Sequence, residues 1–250
     1  MSQSLEKALR LLQTLSERTE HEWHGFTLKD ISAANALDKA TAHRLLRSLA
    51  TFGYVVQDDR GRYAVGPGAL ALAQAAFTAN RLIRRMLEPM RAVHEKTDET
   101  INLSERNRLV SVTVHEIPST QNVRYTTRVG AVSPLHLGAS SRATLAFSAP
   151  SVAAAVLDQP LARATQNSIV ERAALERSFE QVRRDGYAMS FGERVPDTNS
   201  IAVPLLAPDG HAVGAVAILW PSRGAAVDNT RRAAWPELLL ESVRTIQGTL

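Results

Sequence analysis

The side chains best suited to bind a charged partner cluster between residues 38 and 51. Six of them can donate hydrogen bonds, at positions Lys39, Thr41, His43, Arg44, Arg47 and Ser48. Arginine forms paired hydrogen bonds with guanine or binds phosphate, and hydroxyl groups reach base edges or phosphates. The residue types therefore favour an element that enters the major groove of DNA.

Apolar spacing predicts that these donors share one face of a helix. The apolar residues stand at i, i+3, i+4 and i+7, namely Ala42, Leu45, Leu46 and Leu49. They form a buried stripe opposite the donors. Asp38 can cap this helix and Gly53 can end it.

The neighbouring segments predict a winged helix-turn-helix. A first helix runs from about Leu5 to Arg18, and residues 26–34 form a second that Thr27 can cap, with Asp30 three positions later. Thr27 and the first amides of that helix could also hold a phosphate. Residues 54–56 and 62–65 read as strands around a turn at 58–61, where Arg60 is a further DNA-contact candidate.

Charge alone does not decide the DNA-binding hypothesis. The chain has a formal net charge of +4, and residues 1–66 hold nine Lys or Arg against eight Asp or Glu. Asp58 and Asp59 at the turn would repel phosphate. A three-helix cluster with a solvated polar face remains the alternative.

Beyond this unit the pattern predicts a connector and an α+β domain. Gly66, Pro67 and Gly68 break regular structure, residues 69–80 read as a connecting helix, and residues 81–96 as another that Pro89 would kink or split. Alternation then predicts strands within residues 101–114. Helices are predicted at residues 138–147, 171–184 and 229–247, and two late strands at residues 201–206 and 213–219 form a hairpin.

Several segments resemble the IclR family of bacterial regulators, collinearly over nearly the whole chain. The matching stretches are LDKATAHRLLRSL (37–49), GYV (53–55), YAVG (63–66), LHLGAS (135–140), ATLA (143–146), RDGY (184–187), GE (192–193) and IAVP (201–204). The resemblance implies a winged helix-turn-helix (1–66), a linker helix (67–80) and a GAF-like α+β effector-binding domain (81–250). It also implies homodimers and often homotetramers. One departure is Ser141-Arg142, where the family usually has Gly-Lys.

The resemblance further implies an effector site in the second domain. Its expected residues are Leu135, Leu137, Gly138, Ala139, Ser190, Thr198, Ser200, Ala217 and Leu219. Because Ala217 and Leu219 are apolar, few donors are expected, which favours a partly hydrophobic, aromatic effector. Each could instead be strand core. A carboxylate partner could come from Arg124, Arg128 or Arg142.

The sequence favours a regulator over an enzyme. It has no cysteine, no His-Glu-x-x-His, no phosphate-binding glycine loop and no Gly-x-Ser-x-Gly elbow. The pair His21 and His24 reads as solvated, so neither metal nor cofactor is expected. With no signal peptide and no membrane span, a cytoplasmic protein is expected. A repressor is the first hypothesis; an activator, or a GAF-type enzyme or sensor without DNA binding, are the alternatives.

Overall fold

The computed structural model describes residues 2–16, 25–222, 232–244 and 246–247. The chain divides into two compact units, Met1–Asn80 and Arg81–Leu250. His21 and His24, read above as solvated, lie outside the described residues, as do Arg18 and the start of the last predicted helix.

Three helices and a hairpin form the first unit. Its elements are α1 (Gln3–Ser16), α2 (Leu28–Ala34), α3 (Lys39–Thr51), β1 (Val55–Gln57), β2 (Tyr63–Val65) and α4 (Gly68–Ala79). β1 and β2 are antiparallel, and Phe26 adds an antiparallel bridge to Tyr63. The unit's core joins all three helices to the hairpin, through Leu11, Leu15, Ile31, Leu45, Leu46, Val55 and Tyr63.

Side-chain caps begin the second and third helices. The Thr27 hydroxyl accepts from the Asp30 amide at 3.2 Å, and the Asp30 carboxylate accepts from the Thr27 amide at 3.1 Å, which completes a capping box. Asp38 accepts from the Thr41 amide at 2.8 Å at the start of α3. The predicted winged helix-turn-helix is confirmed, with its short turn between capped helices.

The second unit is built on one antiparallel sheet. Its helices are α5 (Arg81–Thr97), α6 (Gly138–Ala146), α7 (Pro150–Leu157), α8 (Arg172–Asp185) and α9 (Trp235–Arg244). Its strands are β3 (Thr100–Asn107), β4 (Val110–Ile117), β5 (Val132–Pro134), β6 (Ala188–Phe191), β7 (Thr198–Leu206) and β8 (Ala212–Pro221). The sheet order is β5-β4-β3-β8-β7-β6.

Strand alternation divides this unit into two cores. Val216, Ile218 and Trp220 of β8 join the cluster that contains α5 and α9. Ala215, Ala217 and Leu219 of the same strand join the cluster that contains α6, α7 and α8. Successive side chains of a strand point to opposite faces, so helices cover both faces of the sheet and the predicted α+β fold is confirmed.

One local expectation needs correction, and the predicted end of the helix near Gly186 is confirmed. α5 is one helix that includes Pro89, so the proline does not split it. α8 ends at Gly186, whose φ of +80° gives the left-handed cap that stops a helix. β5 and α7 lacked a sequence prediction. In the part of the chain that the structure describes, no helix combines the length and apolar composition needed to cross a bilayer.

Candidate functional site

The exposed face of α3 carries its cationic side chains. Lys39, His43, Arg44 and Arg47 are exposed, while Ala42, Leu45 and Leu46 are buried on the opposite side. Neither Arg44 nor Arg47 makes an ion pair or side-chain hydrogen bond with any residue of the described ranges. Both guanidinium groups are therefore available to a ligand.

The hydroxyl groups near α3 already have partners within the fold. Ser48 donates to the Arg44 carbonyl at 3.1 Å. The amide and side chain of Thr41 both bond to the Asp38 carboxylate, which lowers the pKa of Asp38. Thr27 donates its hydroxyl to Asp30 at 2.6 Å. Because that carboxylate lies at the start of α2, Thr27 acts as a helix cap and its hydroxyl is not free for phosphate.

The turn between β1 and β2 is organised by one of its acidic residues. Asp58 accepts from the amides of Arg60 at 3.0 Å and Arg62 at 2.8 Å. Part of its negative charge is therefore offset within the turn. Arg60 is exposed there, so the turn offers a cation despite Asp58.

A cavity lies in the second unit, on the α6 side of the sheet. Hydroxyl and amide groups dominate its lining: Asn102, Ser104, Ser111, Thr113, Thr127, Ser133, Ser140, Ser141, Ser190, Thr198 and Ser200. Tyr125, Leu137, Gly138, Ala139, Arg194, Val195 and Leu219 complete it. We call this space the hydroxyl cavity; the described residues that line it include no acidic residue.

Arg194 supplies the positive charge of the hydroxyl cavity. One of its guanidinium nitrogens donates to the Ser133 hydroxyl, and the other donates to the Tyr125 hydroxyl at 3.3 Å. A guanidinium held by two neutral partners keeps its charge available for a carboxylate. The cavity can therefore bind an anion that carries several hydroxyl groups.

A buried ion pair holds the segment that carries Arg194. Arg142 of α6 donates to the Glu193 carboxylate and to the Met189 carbonyl. Burial raises the pKa of Glu193, although bonds from Arg142, Ser190 and the Gly138 amide act in the opposite direction. Glu193 neutralises the Arg142 charge inside the fold, and Arg142 positions Glu193 next to Arg194.

A second network orders the far wall of the hydroxyl cavity. Asn102 donates to Thr127 at 2.7 Å and to Thr113 at 3.4 Å. Thr127 donates its hydroxyl to the Glu116 carboxylate, which also accepts from the Thr127 amide at 2.5 Å. Burial raises the pKa of Glu116. These bonds fix the side chains of β3 and β4 that face the cavity.

Both units match models of a single family. An IclR helix-turn-helix domain matches residues 4–59, and the C-terminal domain of bacterial IclR transcriptional regulators matches residues 74–247. The chain belongs to the IclR family. It is a DNA-binding transcriptional regulator, as the sequence predicted, and binding of a small-molecule effector is typical of such regulators.

Named relatives and solved structures agree with this assignment. The glycerol operon regulatory protein of Streptomyces griseus is 31% identical over 88% of this chain and 85% of its own length. The Escherichia coli repressor YiaJ is 30% identical over 87% and 77%. An IclR regulator from Alicyclobacillus acidocaldarius has a TM-score of 0.84, with 27% identity over 98% of this chain and 97% of that one.

The structure of this IclR-family regulator brings most of the expected effector residues together. Leu137, Gly138, Ala139, Ser190, Thr198, Ser200 and Leu219 line the hydroxyl cavity. Leu135 and Ala217 do not; both are fully buried in the core beside α6. Arg124 and Arg128 are exposed and outside the lining, and Arg142 is paired with Glu193.

Sequence reasoning missed the polar wall and Arg194. The signal lay in the strands: Asn102 and Ser104 alternate with core residues of β3, yet are buried themselves. A buried polar face on an alternating strand indicates a cavity, because an apolar core would leave its hydroxyls unpaired. The premise that the cavity holds few donors, which favoured an aromatic effector, is therefore wrong.

Proposed function

We propose that this IclR-family regulator represses transcription by reading operator DNA with α3. The observation that carries this is the exposed pair Arg44 and Arg47, which has no partner within the described fold. Lys39 and His43 on the same face, Arg60 on the hairpin turn, and the hydroxyl groups of Thr41 and Ser48 would contact phosphates or base edges. Relatives named as repressors support the sign of regulation.

Operator binding tests this assignment. Arg44→Ala and Arg47→Ala should each weaken binding by about 1–3 kcal/mol if the arginine contacts a base, with relaxed specificity at one position. A phosphate contact would instead weaken binding to all sequences and reduce the salt dependence. Gel-shift titrations at two salt concentrations separate the two cases.

Arg177→Ala is the matched control, because Arg177 is an exposed arginine on α8 in the other unit. It should bind the operator as the native chain does. A folded Arg44→Ala/Arg47→Ala double variant with native operator affinity would show that α3 does not read the DNA.

We infer that the effector is a small hydroxycarboxylate bound in the hydroxyl cavity. Arg194 would pair with the carboxylate, and the seven expected residues that line the cavity would contact the ligand beside the hydroxyls of β3 and β4. Ligand sites use a few placed polar groups to fix orientation, and here these are chiefly hydroxyl groups. D-Glycerate and D-gluconate are suitable probes.

Two matched compounds separate the contributions of charge and hydroxyl groups. Sorbitol retains the hydroxyls of gluconate without the carboxylate, and hexanoate retains a carboxylate without hydroxyls. Calorimetric titration should show saturable binding of a hydroxy acid and much weaker binding of sorbitol and hexanoate. Tighter binding of hexanoate than of either hydroxy acid would contradict the assignment.

We also propose that the chain acts as a homodimer, with a homotetramer as the larger assembly. α4 has no buried residue in the single chain, and Leu70 and Leu72 on it are 72% and 58% exposed. An apolar helix that has no buried face in the single chain marks an interaction surface, and two recognition helices are needed to read paired half-sites. The proposed division of the chain is residues 1–66 for DNA binding, residues 67–80 as a linker helix and residues 81–250 for effector binding.

A protein that binds the chromosome and a metabolite acts in the cytoplasm, which is the proposed location of this chain.

A further inference from the structure

The three strands β6, β7 and β8 present a second, chemically different surface on their other face. Ser190, Ser200 and Leu219 point to the hydroxyl cavity. Their chain neighbours point the opposite way and line a separate cavity of about 360 Å³, through Met189, Phe191, Asn199, Ile201 and Trp220. Alternation along each strand therefore places two cavities back to back across one sheet.

Aromatic side chains form the walls of this second space, which we call the tryptophan cavity. Trp220 of β8 and Trp235 of α9 meet edge to face, with ring centroids 5.1 Å apart and an interplanar angle of 76°. Tyr187 and Phe191 also line it, and Phe191 is 55% exposed on the edge strand β6. An aromatic ligand can extend this edge-to-face arrangement. The volume of the tryptophan cavity lies in the range of small-molecule sites.

Two hydrogen-bond donors of the tryptophan cavity have no acceptor among the described residues. The Trp220 indole Nε1 and the Arg232 Nε are both buried, and neither has a hydrogen-bond partner in residues 2–16, 25–222, 232–244 or 246–247. Both residues line the cavity. Buried polar groups are rarely left unpaired, because they lose their bonds to water without replacement. An acceptor supplied by a ligand would satisfy them.

The charge of Arg232 is only partly offset by the described residues around it. Its guanidinium carbon lies 5.6 Å from the Trp220 ring centroid and 5.9 Å from that of Trp235, within cation–π range. No carboxylate of the described residues forms an ion pair with it. Glu99 interacts with the Arg232 charge, which lowers the Glu99 pKa. Burial has the larger, opposite effect and raises the pKa of Glu99 to about 7. The cavity therefore favours an anion.

We propose that the tryptophan cavity is a second ligand site, which binds a small aromatic carboxylate. The ring packs against Trp220, Trp235 and Phe191, and the carboxylate accepts from Arg232 Nε and Trp220 Nε1. This site is separate from the hydroxyl cavity and does not depend on the effector assigned there. Since both ligands would contact β6, β7 and β8, the sheet gives them a shared structural element.

Calorimetric titration of the full chain with benzoate tests the proposal. Two analogues isolate the two recognition elements: benzamide keeps the ring without the charge, and cyclohexanecarboxylate keeps the charge without the aromatic ring. We expect saturable benzoate binding with one equivalent per chain. Each analogue should bind about tenfold more weakly or worse, because each lacks one of the two interactions. Absence of saturable benzoate binding, or equal binding of benzamide, would overturn the proposal.

Substitutions locate the site. Arg232→Gln should weaken benzoate binding about tenfold or more, while Arg244→Gln, an equal charge change at an exposed position of α9, should not. Phe191→Ala alters the exposed mouth of the tryptophan cavity and provides a second variant if Arg232→Gln fails to fold. It should also weaken benzoate binding.

If Arg194→Gln removes benzoate binding and the Arg232 and Phe191 variants do not, the acid lies in the hydroxyl cavity and the proposal is wrong. Benzoate binding that weakens as chain concentration rises would instead show that a second copy covers the cavity, and would also overturn it.

Discussion

At the residue scale, we expect Arg194 to select an effector that carries a negative charge. Replacement by Gln keeps hydrogen-bond donors near Ser133 and Tyr125 but removes the charge. Loss of a charge-assisted bond typically costs about 1.5–3 kcal/mol, so affinity for the hydroxy acid that binds the native chain should fall about tenfold to hundredfold. Isothermal titration measures this directly.

Arg124→Gln is the matched control, since Arg124 is exposed and donates to the Gln121 carbonyl. Its affinity should be native. If Arg124→Gln weakens binding and Arg194→Gln does not, the carboxylate partner has been placed in the wrong segment.

The sequence could not choose among its arginines. Arg194 lies in the connection between β6 and β7, where no periodicity indicates the direction of a side chain. Arg142 was a reasonable candidate from its place beside the expected effector residues, but the fold commits it to Glu193. By contrast, Gly138 and Ala139 could be placed because a motif fixes the start of α6. Motif-bound positions transfer well, whereas loop side chains depend on tertiary contacts.

Glu99 makes the stability of the second unit depend on pH. It is 1% exposed, and burial raises its pKa from 4.5 to about 7, with Asp98 adding to the rise and Arg232 and Gln121 opposing it. Because the folded pKa is above the unfolded one, the folded state retains a proton that the unfolded state loses. The stabilisation is full below pH 4.5 and is lost as pH rises to about 7.

Glu99→Gln should therefore gain stability relative to the native chain as pH rises. The expected difference between pH 5 and pH 8 is on the order of 2 kcal/mol, measured by urea unfolding at both pH values. Glu95→Gln, at an exposed position of α5, should show no such change. A native pH dependence in Glu99→Gln would assign the titration to another group.

At the scale of elements, backbone hydrogen bonds hold the start of α4 against the residues that follow α3. The Gly66 amide donates to the Tyr54 carbonyl at 2.8 Å, and the Gly68 amide donates to the Gly53 carbonyl at 2.8 Å. A Cβ atom on Gly66 would lie 2.3 Å from the Gly53 carbonyl oxygen, so only glycine permits this approach. The linker helix therefore leaves the DNA-binding core in a fixed direction.

Gly66→Ala should disturb that direction without touching either cavity. Overpacking of this kind typically costs about 1–3 kcal/mol, and the displaced α4 would misplace paired recognition helices. We expect weaker operator binding with native effector affinity, measured by gel shift and calorimetry on the same sample. Gly210→Ala, in the open turn before β8, controls for a glycine substitution as such; native operator affinity in Gly66→Ala would show that the junction tolerates a side chain.

Element boundaries were predictable where period and caps agreed. α3, with Asp38 at its start and an apolar stripe along it, and α8, ended by Gly186, follow their patterns closely. β5 has only three residues, too few to show alternation, and it exists because β4 pairs with it. α5 contains Pro89 because packing of its buried face against the sheet outweighs the one hydrogen bond that proline removes.

For the whole molecule, we expect assembly to link operator binding to effector binding. Operator and effector affinities are coupled only if the ligand binds the DNA-competent and DNA-incompetent arrangements differently. The exposed leucines of α4 are the natural place for that difference, since a dimer that forms there fixes the spacing of two recognition helices. Dimer geometry would then be the quantity that the effector changes.

Leu70→Glu/Leu72→Glu should separate assembly from sensing. Two buried charges at a dimer contact are strongly unfavourable without partners, so light scattering should show a smaller species than the native chain, with loss of operator affinity. Effector binding should persist, because the hydroxyl cavity is formed within one chain. Val129→Glu, at a position 58% exposed like Leu72, should keep the native assembly. An unchanged molar mass in the double variant would place the dimer contact elsewhere and leave α4 free to act within each chain.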